Sequence, residues 1–161
     1  TLLVVLLLEA NRVGSSGTLI DALWDEAPPA TAHKALQLYV SQLRKVLGRE
    51  RVQTKAPGYL LRLHPDEFDL AQCEHLRGEG RFRDALALWR GPALAEFAEE
   101  RFAQVEIARL EELRLVCTEE LIDTRLDAGA HAELVGELEA AVQEQPLRER
   151  LRQQLMLALY R

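Results

Sequence analysis

Lys34, Gln37, Leu38, Ser41, Gln42, Arg44 and Lys45 fall within twelve consecutive positions, and Thr54 and Lys55 follow nine residues after the last of them. Together they hold the chemistry that a DNA major groove requires. Cationic groups attract phosphates, amides and hydroxyls hydrogen-bond to base edges, and an apolar side chain meets a thymine methyl. At about 100° per residue, Lys34, Leu38, Ser41 and Lys45 share one side of a helix over residues 32–47, flanked by Gln37, Gln42 and Arg44. Leu36, Tyr39, Val40, Leu43 and Leu47 gather on the other side and predict a buried face. Leu38 is the single apolar member of the outer face. A lone helix with a few lysines is ordinarily a solvated surface, so its neighbours in the chain must decide.

The charge is unevenly divided. The net charge is −6, yet residues 1–65 carry eight Lys/Arg against five Asp/Glu, a net +3, and the remainder twelve against twenty-one, a net −9. Within residues 31–55, six cations (Lys34, Arg44, Lys45, Arg49, Arg51, Lys55) face Glu50 alone. Such a local excess inside an acidic protein is the footprint of a polyanion partner.

Catalysis finds little material. The chain lacks GxxxxGK[ST], GxGxxG and HExxH, and "GSSG" at 14–17 is not a GxSxG elbow. His33, His64, His75 and His131 are scattered, so neither a metal nor a cofactor is expected. The carboxylate runs "AEFAEE" and "EELRLVCTEE" read as solvated helix faces balanced by Arg109, Arg114 and Arg125. Cys73 and Cys117, 44 positions apart and outside any CxxC spacing, read as reduced core thiols of a cytosolic protein. The longest apolar run, "LLVVLLL" at 2–8, is far short of the roughly 20 residues of a membrane span. No membrane partner is expected.

The elements that must position the polar face can be read in order. Residues 1–10 predict a buried helix; "SSGTLIDALW" predicts serine caps and a second helix; Pro28 and Pro29 break the chain; Thr31 caps a third helix that ends at Gly48. "RVQTKAPGYLLRL" then predicts a hairpin around Pro-Gly with Lys55 at its tip. Trp24, Leu36, Tyr39 and Leu43 are expected in the core. After "HPDEFDL" the signals are purely helical, at about 69–77, 81–90, 99–127, 131–144 and 147–161. Leu147, Leu151, Leu155 and Leu159 predict one buried stripe on the last helix, with Pro146 at its start. The fold class expected is mainly α: a winged helix-turn-helix of three helices and a β-hairpin, then an all-α domain of paired helices. Two helices followed by a hairpin is the arrangement in which one helix enters the major groove and a β-ribbon lies alongside.

The stretches "LIDALW", "PPATAHKALQLYVSQLRKVLG", "VQTKAPGYLLRL", "ALALWRGPAL" and "LVGELEAAVQEQPLRERLRQQLMLALYR" resemble the Streptomyces antibiotic regulatory protein family. Its members join an OmpR-type winged-helix DNA-binding domain to a bacterial transcriptional activation domain of TPR-like helices. The resemblance implies the first domain over 1–65, lacking the family's N-terminal sheet, and the second over 66–161, truncated at its C-terminal end. It implies DNA contacts from Lys34, Leu38, Ser41, Gln42 and Arg44 and, on the wing, from Thr54 and Lys55. Ser41 and Gln42 stand where relatives are often basic, which shifts the expectation from phosphate attraction towards base reading by Gln42. The stretch between "EHLRGEG" and "RFRDALALW" is shorter than the family pattern. Thr1 opens directly into apolar sequence and "LMLALYR" lacks a helix stop, so flanking sequence is expected.

By the same resemblance, the expected function is sequence-specific activation of transcription. The implied partners are double-stranded promoter DNA bearing direct repeats, RNA polymerase holoenzyme through its principal sigma factor, and a second protomer side by side on DNA. The implied setting is the cytoplasm at the nucleoid, in control of antibiotic or other secondary-metabolite genes. The alternative is a TPR-like protein-interaction scaffold whose winged helix does not read DNA.

Overall fold

A computed structural model describes all residues, 1–161. The elements run α1 (Leu2–Leu8), β1 (Val13–Ser15), α2 (Ser16–Trp24), α3 (Ala32–Leu47), β2 (Val52–Lys55), β3 (Gly58–Leu61), α4 (Asp69–Gly78), α5 (Phe82–Ala87), α6 (Arg101–Asp127), α7 (His131–Glu144) and α8 (Glu149–Tyr160). Short 3-10 turns stand at Pro65–Glu67 and Ala95–Phe97. By packing, the chain forms two units, one of residues 1–69 with 94–108 and one of 70–93 with 109–161.

The first unit is a winged helix-turn-helix. Its core joins Leu2, Val5 and Leu6 of α1, Leu19 and Ile20 of α2, Leu36 and Val40 of α3, Val52 of β2, and Tyr59 and Leu61 of β3. Ser15 caps α2, its hydroxyl accepting from the Thr18 amide at 3.0 Å. Thr31 occupies the corresponding place on α3 without a side-chain cap, contributing only its carbonyl to the Ala35 amide. Gly48 ends α3 at φ +94°, and Arg44 and Lys45 in the last turn suit the negative end of the helix dipole. Residues 94–108 join this unit through Phe102, which packs on the core, and Arg101, whose guanidinium meets Asp25 at 3.2 Å and Glu26 at 2.9 Å.

The predicted hairpin is present and gains a third strand. β1 pairs antiparallel with β3, giving the order β1-β3-β2, with Gly14 opposite Tyr59 and Val52 opposite Leu61. Three residues are too few to show a period-2 pattern, so β1 leaves no strand signal in the sequence. Asn11, in the left-handed region at φ 62°, closes the turn before β1: its side chain donates to the Leu63 carbonyl at 3.1 Å and accepts from the Leu63 amide at 3.0 Å.

Beyond β3, the Glu67 carboxylate accepts two guanidinium N–H groups of Arg51 and the His64 amide at 2.9 Å. The paired guanidinium first, and the amide second, hold the Glu67 carboxyl at about 2, well below the usual carboxylate range. Because the native value is depressed, the pairing acts fully above the usual carboxylate range and disappears as pH falls through about 2. A ¹³C carboxyl titration should place Glu67 near 2 in the native protein and return it to the ordinary range in Arg51→Gln; an unchanged midpoint in that variant would remove Arg51 as the cause.

The second unit is all helical, built as TPR-like pairs. Cys73 of α4, Ala85 of α5, and Leu113 and Cys117 of α6 form one cluster; Ile122 and Leu126 of α6, Leu134 and Leu138 of α7, and Leu151 and Ala158 of α8 form another. The cysteines are free and buried, as expected, and share the first cluster despite their distance in sequence. Burial, the first cause, pushes the Cys117 thiol up to about 11.

Two sequence expectations are corrected in this unit. The four-residue leucine stripe does not hold: Leu151 is fully buried and Leu155 half-buried, but Leu147 and Leu159 are exposed. Leu147 and Pro146 precede α8, and steps of four rotate by about 40° beyond a full turn, so the leucines wind off the buried face. The buried line is instead Leu151, Gln154 and Ala158.

The acidic run on α6 is not a wholly solvated face. Glu119 is 1% exposed and accepts from Arg148 Nε at 2.7 Å and Nη2 at 3.0 Å. Arg148 also reaches Glu112 at 2.7 Å; Arg150 pairs with Glu120 at 3.1 Å and Asp123 at 2.6 Å. Gln154 donates to the Glu119 carbonyl at 2.8 Å and to Asp123 at 2.6 Å. The "QPLRERL" stretch is therefore a set of arginines fastening the start of α8 to α6. No helix of the protein is long and apolar enough to cross a membrane.

Candidate nucleic-acid interface

Burial of Ala32, Leu36 and Val40, at four-residue spacing, fixes the rotation of α3 on its core and so decides which side chains look outward. Lys34, Gln37, Leu38, Ser41, Gln42 and Lys45 are all exposed. Leu38 is 56% exposed, a large apolar side chain held in water on an otherwise polar face. Lys34, Lys45 and Lys55 enter no ion pair, so their ammonium groups stay hydrated and available to a phosphate.

The inner side of the wheel is less uniform than the periodicity implies. Leu36 and Val40 are fully buried, while Leu43 and Leu47 are half-buried against the core. Tyr39 is 38% exposed and Trp24 half-buried; their rings stack at 6.0 Å between centroids, with 19° between planes. This aromatic pair covers the edge of the core where α2 meets α3, and Tyr39 remains in partial contact with solvent because it lies next to the outward face.

The wing carries Thr54 and Lys55 at the end of β2, both exposed. Arg44 and Thr54, expected to contact DNA from the helix and from the wing respectively, are turned to one another. Arg44 Nε donates to the Val52 carbonyl at 2.8 Å, Nη2 donates to Thr54 Oγ1 at 2.7 Å, and the guanidinium lies over the Tyr59 ring at 6.0 Å from its centroid. No spacing rule signals this arrangement. Residues 44 and 54 are brought together only by the turn through Gly48 and the pairing of β2 with β3.

The outward face of α3 and the basic wing tip thus lie on one small winged-helix unit, whose positive charge is concentrated in residues 31–55. Comparison with known proteins bears directly on this unit and on the helices that follow. Residues 1–61 match the family described as "Transcriptional regulatory protein, C terminal", and residues 69–161 match "Bacterial transcriptional activator domain". The chain belongs to the Streptomyces antibiotic regulatory protein family. It is similar to the regulatory protein AfsR of Streptomyces griseus, 40% identical over 99% of this chain and 18% of that protein. It is 37% identical to the regulatory protein DnrI of Streptomyces peucetius, over 98% of this chain and 67% of that one. Among solved structures, that of Mycobacterium tuberculosis EmbR in complex with a low-affinity phosphopeptide matches at a TM-score of 0.83 and 30% identity, covering 98% of this chain and 47% of that one.

AfsR and DnrI are regulatory proteins by name and EmbR of Mycobacterium tuberculosis a transcriptional regulatory protein, and each is matched over nearly the whole of this chain. The chain spans less than a fifth of AfsR and about half of EmbR. The alignment with AfsR runs over 174 residues where this chain has 161, so that relative carries extra residues inside the shared region.

Proposed function

We propose that this regulator binds promoter DNA through its winged helix, α3 entering the major groove and the β2–β3 wing lying on the adjacent backbone, and that it activates transcription by bringing RNA polymerase to the promoter. The observation that carries this reading is the outward face of α3: unpaired Lys34 and Lys45 on either side of an exposed Leu38, with Gln37, Ser41 and Gln42 between and beside them. Cations position the duplex, amides and the hydroxyl read base edges, and Leu38 meets a thymine methyl. Lys55 adds a phosphate contact from the wing.

Residues 1–65 are the DNA-reading domain in this account, and residues 66–161 the activation domain. The second region, with its net charge of −9, repels a duplex and is suited to protein partners. Two protomers side by side on direct repeats, and polymerase with its principal sigma factor, complete the reading. Its setting is the cytoplasm, and membership of the Streptomyces antibiotic regulatory protein family suggests antibiotic or other secondary-metabolite genes as targets.

The test is fluorescence anisotropy on duplexes enriched by rounds of selection from a random pool containing direct repeats, against an unselected duplex, across a salt series. The wild-type protein is expected to prefer the selected duplex and to lose affinity steeply with salt. Lys34→Ala and Lys45→Ala should each weaken both duplexes and reduce the log–log salt slope by about 0.9, the release from one phosphate contact. Gln42→Ala should leave the slope in place and reduce discrimination by about 1–3 kcal/mol, the value of a bidentate base contact. If no selected duplex is preferred, the protein-interaction scaffold is the better account; if all three variants act equally on both duplexes, the division of roles fails.

A further inference from the structure

We propose that Arg44 is a positioning residue that sets the wing against the recognition helix, its Nε and Nη2 donors spent on the wing strand. The inference rests on the DNA-reading role proposed above, and it departs from the expectation that places Arg44 among the contacts.

The geometry is specific to a guanidinium. Nε and Nη2 point along two directions of one rigid plane, and they reach two successive outward groups of the same strand, the Val52 carbonyl at 2.8 Å and the Thr54 hydroxyl at 2.7 Å. The cation lies over Tyr59, which is 9% exposed and directly opposite Thr54 in the β2–β3 pairing. Arg44 therefore holds the strand at two points from the last turn of α3, and Lys55 follows immediately after the second. Meeting a phosphate with Nε and Nη2 would give up both charge-assisted hydrogen bonds, so of the five N–H donors only those of Nη1 and the second of Nη2 are not already used on the wing. Lys34, Lys45 and Lys55 face no such loss. A lysine at position 44 would keep the positive charge but, as a point donor, could not span both groups.

The wing's contribution to binding then depends on Arg44 through the strand it holds. Anisotropy on the selected duplex should show Arg44→Lys weakening binding by about tenfold or more, the loss of a charge-assisted hydrogen-bond pair, despite unchanged net charge. The salt slope should fall by about 0.9, because the Lys55 contact is no longer delivered. Lys55→Ala, which reduces affinity in the wild-type protein, should have under about a twofold effect in the Arg44→Lys background. Thr54→Val, which removes only the hydroxyl and keeps the side-chain shape, should shift binding in the same direction by a smaller factor and shrink the effect of Lys55→Ala. It serves as the second variant if Arg44→Lys disturbs the fold.

An NMR readout follows the side chain itself. The Arg44 Nε–H signal should be protected from solvent exchange in the free protein and remain so in the complex. Wild-type-like affinity and slope in Arg44→Lys, an undiminished Lys55→Ala effect in either background, or loss of the Arg44 Nε–H protection on adding the duplex would each overturn the inference. Those outcomes leave the proposed function standing, whereas failure of the wild-type protein to prefer any duplex would remove both.

Discussion

Arg148→Ala should lower the stability of the helical unit by about 3 kcal/mol, the lower end of the cost of breaking a buried ion pair, because Arg150 Nη1 remains 3.8 Å from Glu119. Glu119 is 1% exposed and lies on α6, where the Arg148 guanidinium supplies two of its hydrogen bonds at 2.7 and 3.0 Å. The same guanidinium reaches Glu112, so one substitution releases two carboxylates from their shared cation. The neighbouring Glu119 and Glu112 carboxylates hold the Arg148 guanidinium more firmly protonated than usual, so neutral arginine offers no escape. Denaturation followed by Trp89, which packs in the cluster of Cys73 and Cys117, reports on this unit when Trp24 is replaced by phenylalanine. The paired replacement Glu119→Leu with Arg148→Leu should recover most of the loss, because apolar residues of similar volume need no ion partner. A loss below about 1 kcal/mol in Arg148→Ala would show that the pair behaves as an ordinary surface salt bridge.

Gly58→Ala should destabilise the winged-helix unit by about 3 kcal/mol or more, at or beyond the upper end of ordinary overpacking. A methyl at this position would stand 2.0 Å from the Gly14 carbonyl oxygen, 2.7 Å from the Ser16 nitrogen and 2.9 Å from the Ser15 carbonyl carbon. All three are backbone atoms, so no rotamer change can relieve the contact. Gly58 lies opposite Ser15 in the pairing of β1 with β3, and the methyl would force β1 off the sheet. The consequence reaches function, because β3 also carries the partner of β2, and β2 carries Thr54 and Lys55. Denaturation followed by Trp24, with Trp89 replaced by phenylalanine, should show the loss. A change under about 1 kcal/mol would mean that β1 moves aside without harm, and the third strand would then be dispensable.

Much of this was legible in the sequence, and the limits have physical causes. The α3 wheel placed Lys34, Gln37, Leu38, Ser41, Gln42 and Lys45 on the outside because a sixteen-residue amphipathic helix has a strong period of its own. The Pro-Gly turn marked the hairpin through local backbone preference. β1 and the Arg148–Glu119 pair depend on contacts 29 or more residues apart, which no local period reports. Gly58 was visible as a turn residue, but its tightest constraint comes from a strand more than forty positions away. The Arg44–Thr54 contact spans only ten residues and was missed for a different reason: the wheel treats every cation on the outer half of a helix as free, whereas the strand after Gly48 folds back to meet this one.

The most direct test is a photocrosslink from position 38. A photoreactive phenylalanine analogue replacing Leu38 places the probe at the centre of the outward α3 face, flanked by Lys34 and Lys45. With the selected duplex at saturating concentration, the account predicts a covalent adduct mapped to bases within the major groove of each repeat, lost on competition with unlabelled duplex. A protein that still binds the duplex yet forms no adduct from position 38, while the same probe on α2 at Asp21 does, would show that another face meets the DNA.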